Sequence, residues 1–278
     1  MPTETINYLR FVYRFPVISK LWKYLAALAI YTALVVVYTH EDPSAVDAPP
    51  PREKGAEAVL TGIVFGWLMS FRTNAAYARW WEGRVLWGQL VNECRNLALK
   101  GRQYFPDRER GNELGALLAE FAATLKTHLR STPPRDPLTP MPPPSPHLPM
   151  EVVKRIYALL HSQRTANQID GYTYLTLDQH ALQLMNVCGA CERIKNTPMT
   201  PSYRGLLRKG ITGYMMVLPW ILITDLDWFT VPVIVLIGYA LIGLELIADS
   251  IENPFGHDGD DLPLDEIVET IRRNVASE

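Results

Sequence analysis

The chain has 278 residues and carries 27 Lys and Arg against 29 Asp and Glu, a formal net charge of -2. That balance sets aside a strongly basic nucleic-acid binder, and 48% hydrophobic with 20% charged residues excludes global disorder. The mean hydropathy of -0.01 averages long apolar runs with long charged stretches, a distribution that no ordinary soluble domain requires.

Four apolar runs follow in chain order. Trp22 to Tyr38 is long enough to cross a bilayer, and its one charge, Lys23, sits at an end where it can snorkel. No small-residue cleavage site follows it, so it does not read as a secretory signal. Ala58 to Phe71 is shorter and stops at Arg72-Thr73-Asn74; Gly210 to Thr224 is also short; Trp228 to Ala248 is long enough but contains Glu245. Buried core helices of a soluble protein would account for the short lengths. They would not account for two close pairs of apolar runs around a polar middle. Two hairpins in a bilayer, with the short helices shielded by neighbours, account for both.

Charge orients the hairpins. Arg10, Arg14 and Lys20 precede the first run, Arg72, Arg79, Arg84, Arg95, Lys100 and Arg102 follow the second, and Arg204, Arg208 and Lys209 precede the third. The Thr39 to Glu57 connection is acidic and Pro-rich, and Asp225-Leu226-Asp227 joins runs three and four. Both termini and residues 72–209 are therefore expected in the cytoplasm. The expected divisions are a cytosolic segment 1–21, a transmembrane hairpin 22–80, a cytosolic helical region 81–209, a second hairpin 210–248 and a cytosolic segment 249–278.

The cytosolic region is too long for a loop. Leu114, Leu117, Leu118, Phe121 and Leu125 make one apolar helix face, and Val152, Val153, Ile156, Leu159 and Leu160 mark another. Residues 132–149 hold nine of the 22 prolines and read as an exposed linker. A last amphipathic helix carries Leu264, Ile267, Val268, Ile271 and Val275. Cys188 and Cys191 form a C-x-x-C, yet no second pair completes a zinc site. They continue the seam Leu177, Ala181, Leu184 and read as small core hydrophobes.

The second run carries the clearest functional pattern. Ile63, Trp67 and Phe71 lie four apart in one bulky stripe, and Gly62, Gly66 and Ser70 run beside them at the same spacing. Small residues at every fourth position let membrane helices approach closely. Bulky residues turned to a shared axis would form a narrow neck that resists wetting and gates. Plain packing of a helix bundle explains the stripe equally well at this point. Glu245 and Asp249, four apart, are expected to pair with Arg72 and Arg79 as a clamp between spans.

Beyond the stripe the sequence reads Phe71-Arg72-Thr73-Asn74-Ala75-Ala76-Tyr77-Ala78-Arg79-Trp80-Trp81-Glu82-Gly83-Arg84, then Leu86-Trp87-Gly88. With Arg14-Phe15-Pro16, Cys191-Glu192-Arg193, Thr197-Pro198, Ile251-Glu252-Asn253-Pro254-Phe255-Gly256 and Asp261-Leu262-Pro263-Leu264, it closely resembles the bestrophin family, its bacterial members above all. The resemblance implies an all-α integral membrane protein with four transmembrane helices per subunit, a large helical cytosolic region and a homopentamer around a central pore. It implies a passive ion channel, not an enzyme, whose partners are permeant inorganic ions, the lipid bilayer and other copies of itself, with no nucleic acid.

The family's hydrophobic neck maps onto Ile63, Trp67 and Phe71. Trp67 is bulkier than the side chains expected there. The second, cytosolic constriction maps onto Tyr172, beside which Asp170 would form a ring attracting cations or a solvated turn with Gly171. Animal members hold calcium in an acidic clasp whose side-chain positions match Asp258 and Asp261. The start of the following helix, with Pro263 and Asp265, is the preferred reading of those aspartates, and no cofactor is required. Animal members conduct chloride and some bacterial relatives prefer monovalent cations, so an anion channel is slightly favoured on family grounds and a cation channel is the alternative. His40, His128, His147, His161, His180 and His257 are scattered, without a metal or triad motif, which disfavours an enzyme. A transporter would show inverted repeats, and a scaffold or sensor without conductance is the reading from another class.

Overall fold

A computed structural model describes residues 16–41, 53–131 and 147–276, with side chains from 21–41, 57–130 and 147–276. The expectations for Arg10, Arg14, Phe15, the Lys20 side chain, most of the acidic connection and the Pro-rich stretch 132–146 lie outside what is described. Among those described there are helices and no strand: α1 (Pro16–Glu41), α2 (Glu53–Tyr104), α3 (Arg108–Ser131), α4 (Leu148–Thr165), α5 (Gly171–Asn196), α6 (Pro201–Leu226), a 3₁₀ turn (Asp227–Phe229), α7 (Thr230–Ile251) and α8 (Leu264–Ala276).

The chain divides into two compact units. The first comprises residues 1–78, 199–252 and 258–260; the second comprises 79–198, 253–257 and 261–278. Helix α6 is one continuous helix from Pro201, a proline suited to a helix start.

In the first unit α1 lies against α7, and α7 against α6. Gly238 makes the α1–α7 approach close: a Cβ there would stand 2.5 Å from a methyl of Leu28. The core joins Ala58 and Met69 of α2 to Leu207, Ile211, Met215 and Leu218 of α6 and Ile234 and Leu241 of α7. Tyr31 donates to the Met216 carbonyl at 2.7 Å and accepts from Trp220 Nε1 at 2.9 Å, so these two polar side chains among apolar helices are paired.

Two helical stretches here are long and apolar enough to cross a membrane, Leu21–Glu41 and Pro201–Ile251. Only 22% and 33% of their most apolar windows is buried, whereas core helices of a soluble protein would be mostly covered. The second stretch holds the third and fourth runs on either side of the 3₁₀ turn. The short runs are therefore not short helices. Ala58–Phe71 is the apolar part of the 52-residue α2, and Gly210–Thr224 lies inside the 26-residue α6.

In the second unit the expected faces pack together. Leu114, Leu118, Phe121 and Leu125 of α3 meet Val152, Val153, Ile156 and Leu160 of α4, the Leu177–Cys191 seam of α5, and Trp87, Leu90, Cys94 and Leu97 of α2. Burial pushes the Cys188 thiol up to about 12 and raises those of Cys94 and Cys191 further. All three are therefore protonated hydrophobes rather than nucleophiles or ligands. The apolar face of α8 closes this core against α3.

Asp265 fastens the start of α8, accepting from Lys126 Nζ and Arg130 Nη1, each at 2.7 Å. Those cations hold its carboxyl at about 2, below the ordinary 3.8. Because the folded value is depressed, the stabilisation is present above the unfolded value and is lost as pH falls toward about 2. Asp265→Asn is expected to lower the melting temperature of the solubilised protein at about pH 6 and to match wild type at about pH 2. Equal melting at both values would show that the pair contributes nothing.

Candidate pore lining and ion-pair cluster

The buried face of the membrane part of α2 carries Ala58, Met69, Arg72 and Ala76. Trp67 stands two residues from Met69, about 200° round the helix at about 100° per residue. The stripe Ile63, Trp67 and Phe71 therefore points away from the packing of its own unit, and Trp67 is 64% exposed. The rings of Trp67 and Phe71 meet edge to face with centroids 5.1 Å apart. Asn74, also exposed, continues that side of the helix one turn below Phe71.

Of the small residues beside the stripe, Gly62 is closely approached within the subunit. A Cβ on it would stand 2.6 Å from Tyr214 Oη, which donates to the Ala58 carbonyl at 3.1 Å. A Cβ on Gly66 would have open space within 4 Å, and Ser70 is exposed with its hydroxyl donating to the Gly66 carbonyl at 3.1 Å.

Arg72 is the first charge after the stripe, and its side chain is fully buried. Its Nε donates to Glu245 at 2.6 Å and its Nη1 to Glu252 at 3.2 Å; Asp249 stands 3.5 Å from Nη2. Arg208 pairs with Glu245 at 2.8 Å and with Asp249 at 2.7 Å, and Arg204 lies 3.8 Å from Asp249. Glu252 also accepts the Met199 amide at 2.9 Å. Three guanidinium groups thus face three carboxylates, which keeps the cluster neutral among apolar helices.

The clamp between Arg72 and the α7 acids is present, and Arg79 belongs to the second unit. Its guanidinium donates to the carbonyls of Ile194, at 2.5 Å, and Thr197, at the end of α5. Helix ends leave carbonyls that a cation satisfies well. The partner missed in the sequence is Arg208. A signal was available: Arg204 and Arg208 are four apart on α6, as Glu245 and Asp249 are on α7, so each pair shares one helix face.

Asp170 is the N-cap of α5. Its carboxylate accepts the Thr173 amide at 2.6 Å, and that bond holds it below the usual carboxylate range, hence ionised near neutrality. Tyr172, in the first turn, is 85% exposed. Asp258 belongs to the first unit and Asp261 to the second. Helix α8 begins at Leu264, with Asp265 and Glu266 in its first turn.

A family model described as Bacterial/Fungal Bestrophin protein matches residues 2–277. The chain belongs to the bestrophin family. A voltage-dependent anion channel-forming protein of Nostoc is 37% identical over 234 residues, 78% of this chain and 75% of that protein. One from Synechocystis is 35% identical over 232 residues, 79% and 76% of the two chains. A crystal structure of a bacterial bestrophin homologue from Klebsiella pneumoniae superposes with a TM-score of 0.80 at 26% identity, covering 90% of this chain and 95% of that one.

The bestrophin signature residues occupy structural joints. Arg72 and Glu252, from two motifs 180 residues apart, meet in the ion-pair cluster. A Cβ on Gly83 would stand 3.3 Å from each of Pro254, Phe255 and Leu262, so the Asn-Pro-Phe-Gly turn seats directly on α2 where that helix has no side chain. The turn is closed by the Leu262 amide donating to the Pro254 carbonyl at 2.9 Å. Arg79 and its two carbonyl partners link the long α2 motif to the Thr197-Pro198 motif.

Proposed function

We propose that five copies of this bestrophin surround one axis and form a passive channel for small monovalent ions, with Ile63, Trp67 and Phe71 as its dry neck and anions favoured. The observation that carries this reading is the direction of the α2 stripe, bulky, contiguous and turned away from the unit's own packed face. The length of the apolar run supports a central place for α2. Fourteen residues, 58 to 71, rise about 21 Å, against a hydrocarbon core of about 30 Å. The rest of its passage is polar, and polar helix in a bilayer needs protein or water beside it. The two relatives named as voltage-dependent anion channel-forming proteins support the ion and its sign. The basic residues after α2's apolar run support cytoplasmic placement of both termini and of residues 72–209. Calcium has no part in the opening step.

The cation-selective alternative has one observation in its favour, the ionised and exposed carboxylate of Asp170. It also offsets the positive end of α5, which would otherwise attract anions. Reversal potentials in planar bilayers under asymmetric sodium chloride, with a calcium chelator present, test both readings. Wild type is expected to reverse toward the chloride potential. Asp170→Asn keeps a capping side chain and removes five charges, so the chloride-to-sodium permeability ratio is expected to rise by about tenfold. Reversal at the sodium potential would establish the alternative, and conduction only with calcium restored would refute the calcium-independent opening.

A further inference from the structure

Three side chains from separate helices converge in the second unit. His128 lies in the last turn of α3, His147 immediately precedes α4, and Glu192 is near the end of α5. His128 Nε2 and His147 Nε2 stand 2.6 Å and 2.9 Å from the same carboxylate oxygen, Glu192 Oε1. The three ligating atoms lie within 4.8 Å of one another, the two imidazole rings are 4.7 Å apart, and all three residues are partly exposed. His147 and His128 lie 45 and 64 positions from Glu192 in the sequence and meet it only in the fold.

We propose that His128, His147 and Glu192 form a three-ligand site for a divalent transition-metal ion of the zinc type, with a fourth position open to water. Two imidazoles and a carboxylate suit such an ion, and three protein ligands with one open position make a recognised zinc arrangement. Tetrahedral ligands at about 2.0–2.1 Å from a metal stand about 3.3 Å apart. The two nitrogen–oxygen separations of 2.6 Å and 2.9 Å must therefore open by about half an ångström, within reach of side chains at the surface. Lys195, whose Nζ bonds to the Leu129 carbonyl, fastens α5 to the backbone beside His128 and limits what must move.

The competing description is a hydrogen-bonded His–Glu–His clamp, and one detail tells how the two exchange. His147 Nδ1 accepts the Met150 amide at 3.1 Å, so the ring proton sits on Nε2 and faces Glu192. A metal on Nε2 moves that proton to Nδ1 and ends the cap. The Met150 amide is not stranded, because the His147 carbonyl already accepts it at 3.0 Å. The cysteines of α5 take no part, being buried and protonated. His128 and His147 are 19 positions apart and flank the Pro-rich stretch.

The test is titration of the metal-stripped, tag-free full chain with zinc chloride by calorimetry and with cobalt(II) by visible absorption. One metal per chain and the intense band of four-coordinate cobalt are expected. His128→Ala, His147→Ala and Glu192→Gln should each weaken binding by at least about tenfold, while His161→Ala, an exposed histidine elsewhere on α4, should leave it unchanged. Variants are compared at matched elution volume and melting temperature. Should they fail to assemble, the wild-type cobalt spectrum decides alone. Absence of stoichiometric binding, a weak six-coordinate spectrum, or affinity unaltered by the His128 and His147 substitutions would overturn the site.

Discussion

Replacing Trp67 by alanine is expected to raise chloride flux through proteoliposomes by about tenfold or more, equivalent to about 1.4 kcal/mol off the permeation barrier. In the proposed channel a neck lined by five indoles would exclude water, and a charged ion would cross it only by shedding its own hydration. Five methyl groups in their place leave room for water. The effect should not be additive with Phe71→Ala, since the two rings touch at 5.1 Å and each positions the other. Ile63→Ala should act in the same direction with a smaller effect. Were the stripe turned to lipid or to a neighbouring helix, Trp67→Ala would leave flux at the wild-type level or lower it through poor assembly. Flux measured on particles of unchanged elution volume separates these outcomes.

Arg72→Ala is expected to cost about 3–5 kcal/mol of stability, because it takes a shared guanidinium from two buried carboxylates, Glu245 and Glu252. Glu252 would lose its guanidinium partner while keeping the Met199 amide, and Glu245 would keep Arg208. Lysine should restore little, since one compact ammonium cannot serve carboxylates that the guanidinium meets on separate nitrogens. The triple variant Arg72→Met, Glu245→Gln, Glu252→Gln should melt above Arg72→Ala, because removing a buried cation together with its two buried acids costs less than removing the cation alone. Glu245→Gln alone should weaken assembly more than it alters ion preference. Thermal unfolding followed by fluorescence-detected size exclusion gives these rankings. A wild-type melting temperature for Arg72→Ala would remove the cluster from the account of stability.

Much of the helical architecture was legible because apolar periodicity reports burial directly. The faces of α3, α4, α5 and α8 were read residue by residue, and those residues form the core of the second unit. Helix lengths were less legible. Ala58–Phe71 and Gly210–Thr224 end where hydropathy changes, whereas α2 and α6 continue into charged sequence without interruption. A helix needs satisfied backbone bonds and side-chain partners, not apolarity, to continue. Arg79 shows the limit for charge pairing. Its level suggested a carboxylate, but the end of α5 offered carbonyls that no pattern along α2 could announce.

The sequence alone determined the helical class, the apolar hairpins, the family and the three bulky positions of α2, because each is written in local spacing or contiguous motifs. Only the tertiary structure decided that Arg208 completes the Arg72 cluster, that Gly83 receives the Asn-Pro-Phe-Gly turn, and that His128, His147 and Glu192 meet. Those are encounters between residues tens to hundreds of positions apart. Their geometry follows from how helices pack, and packing is a property of the whole set of faces rather than of any one stretch of chain.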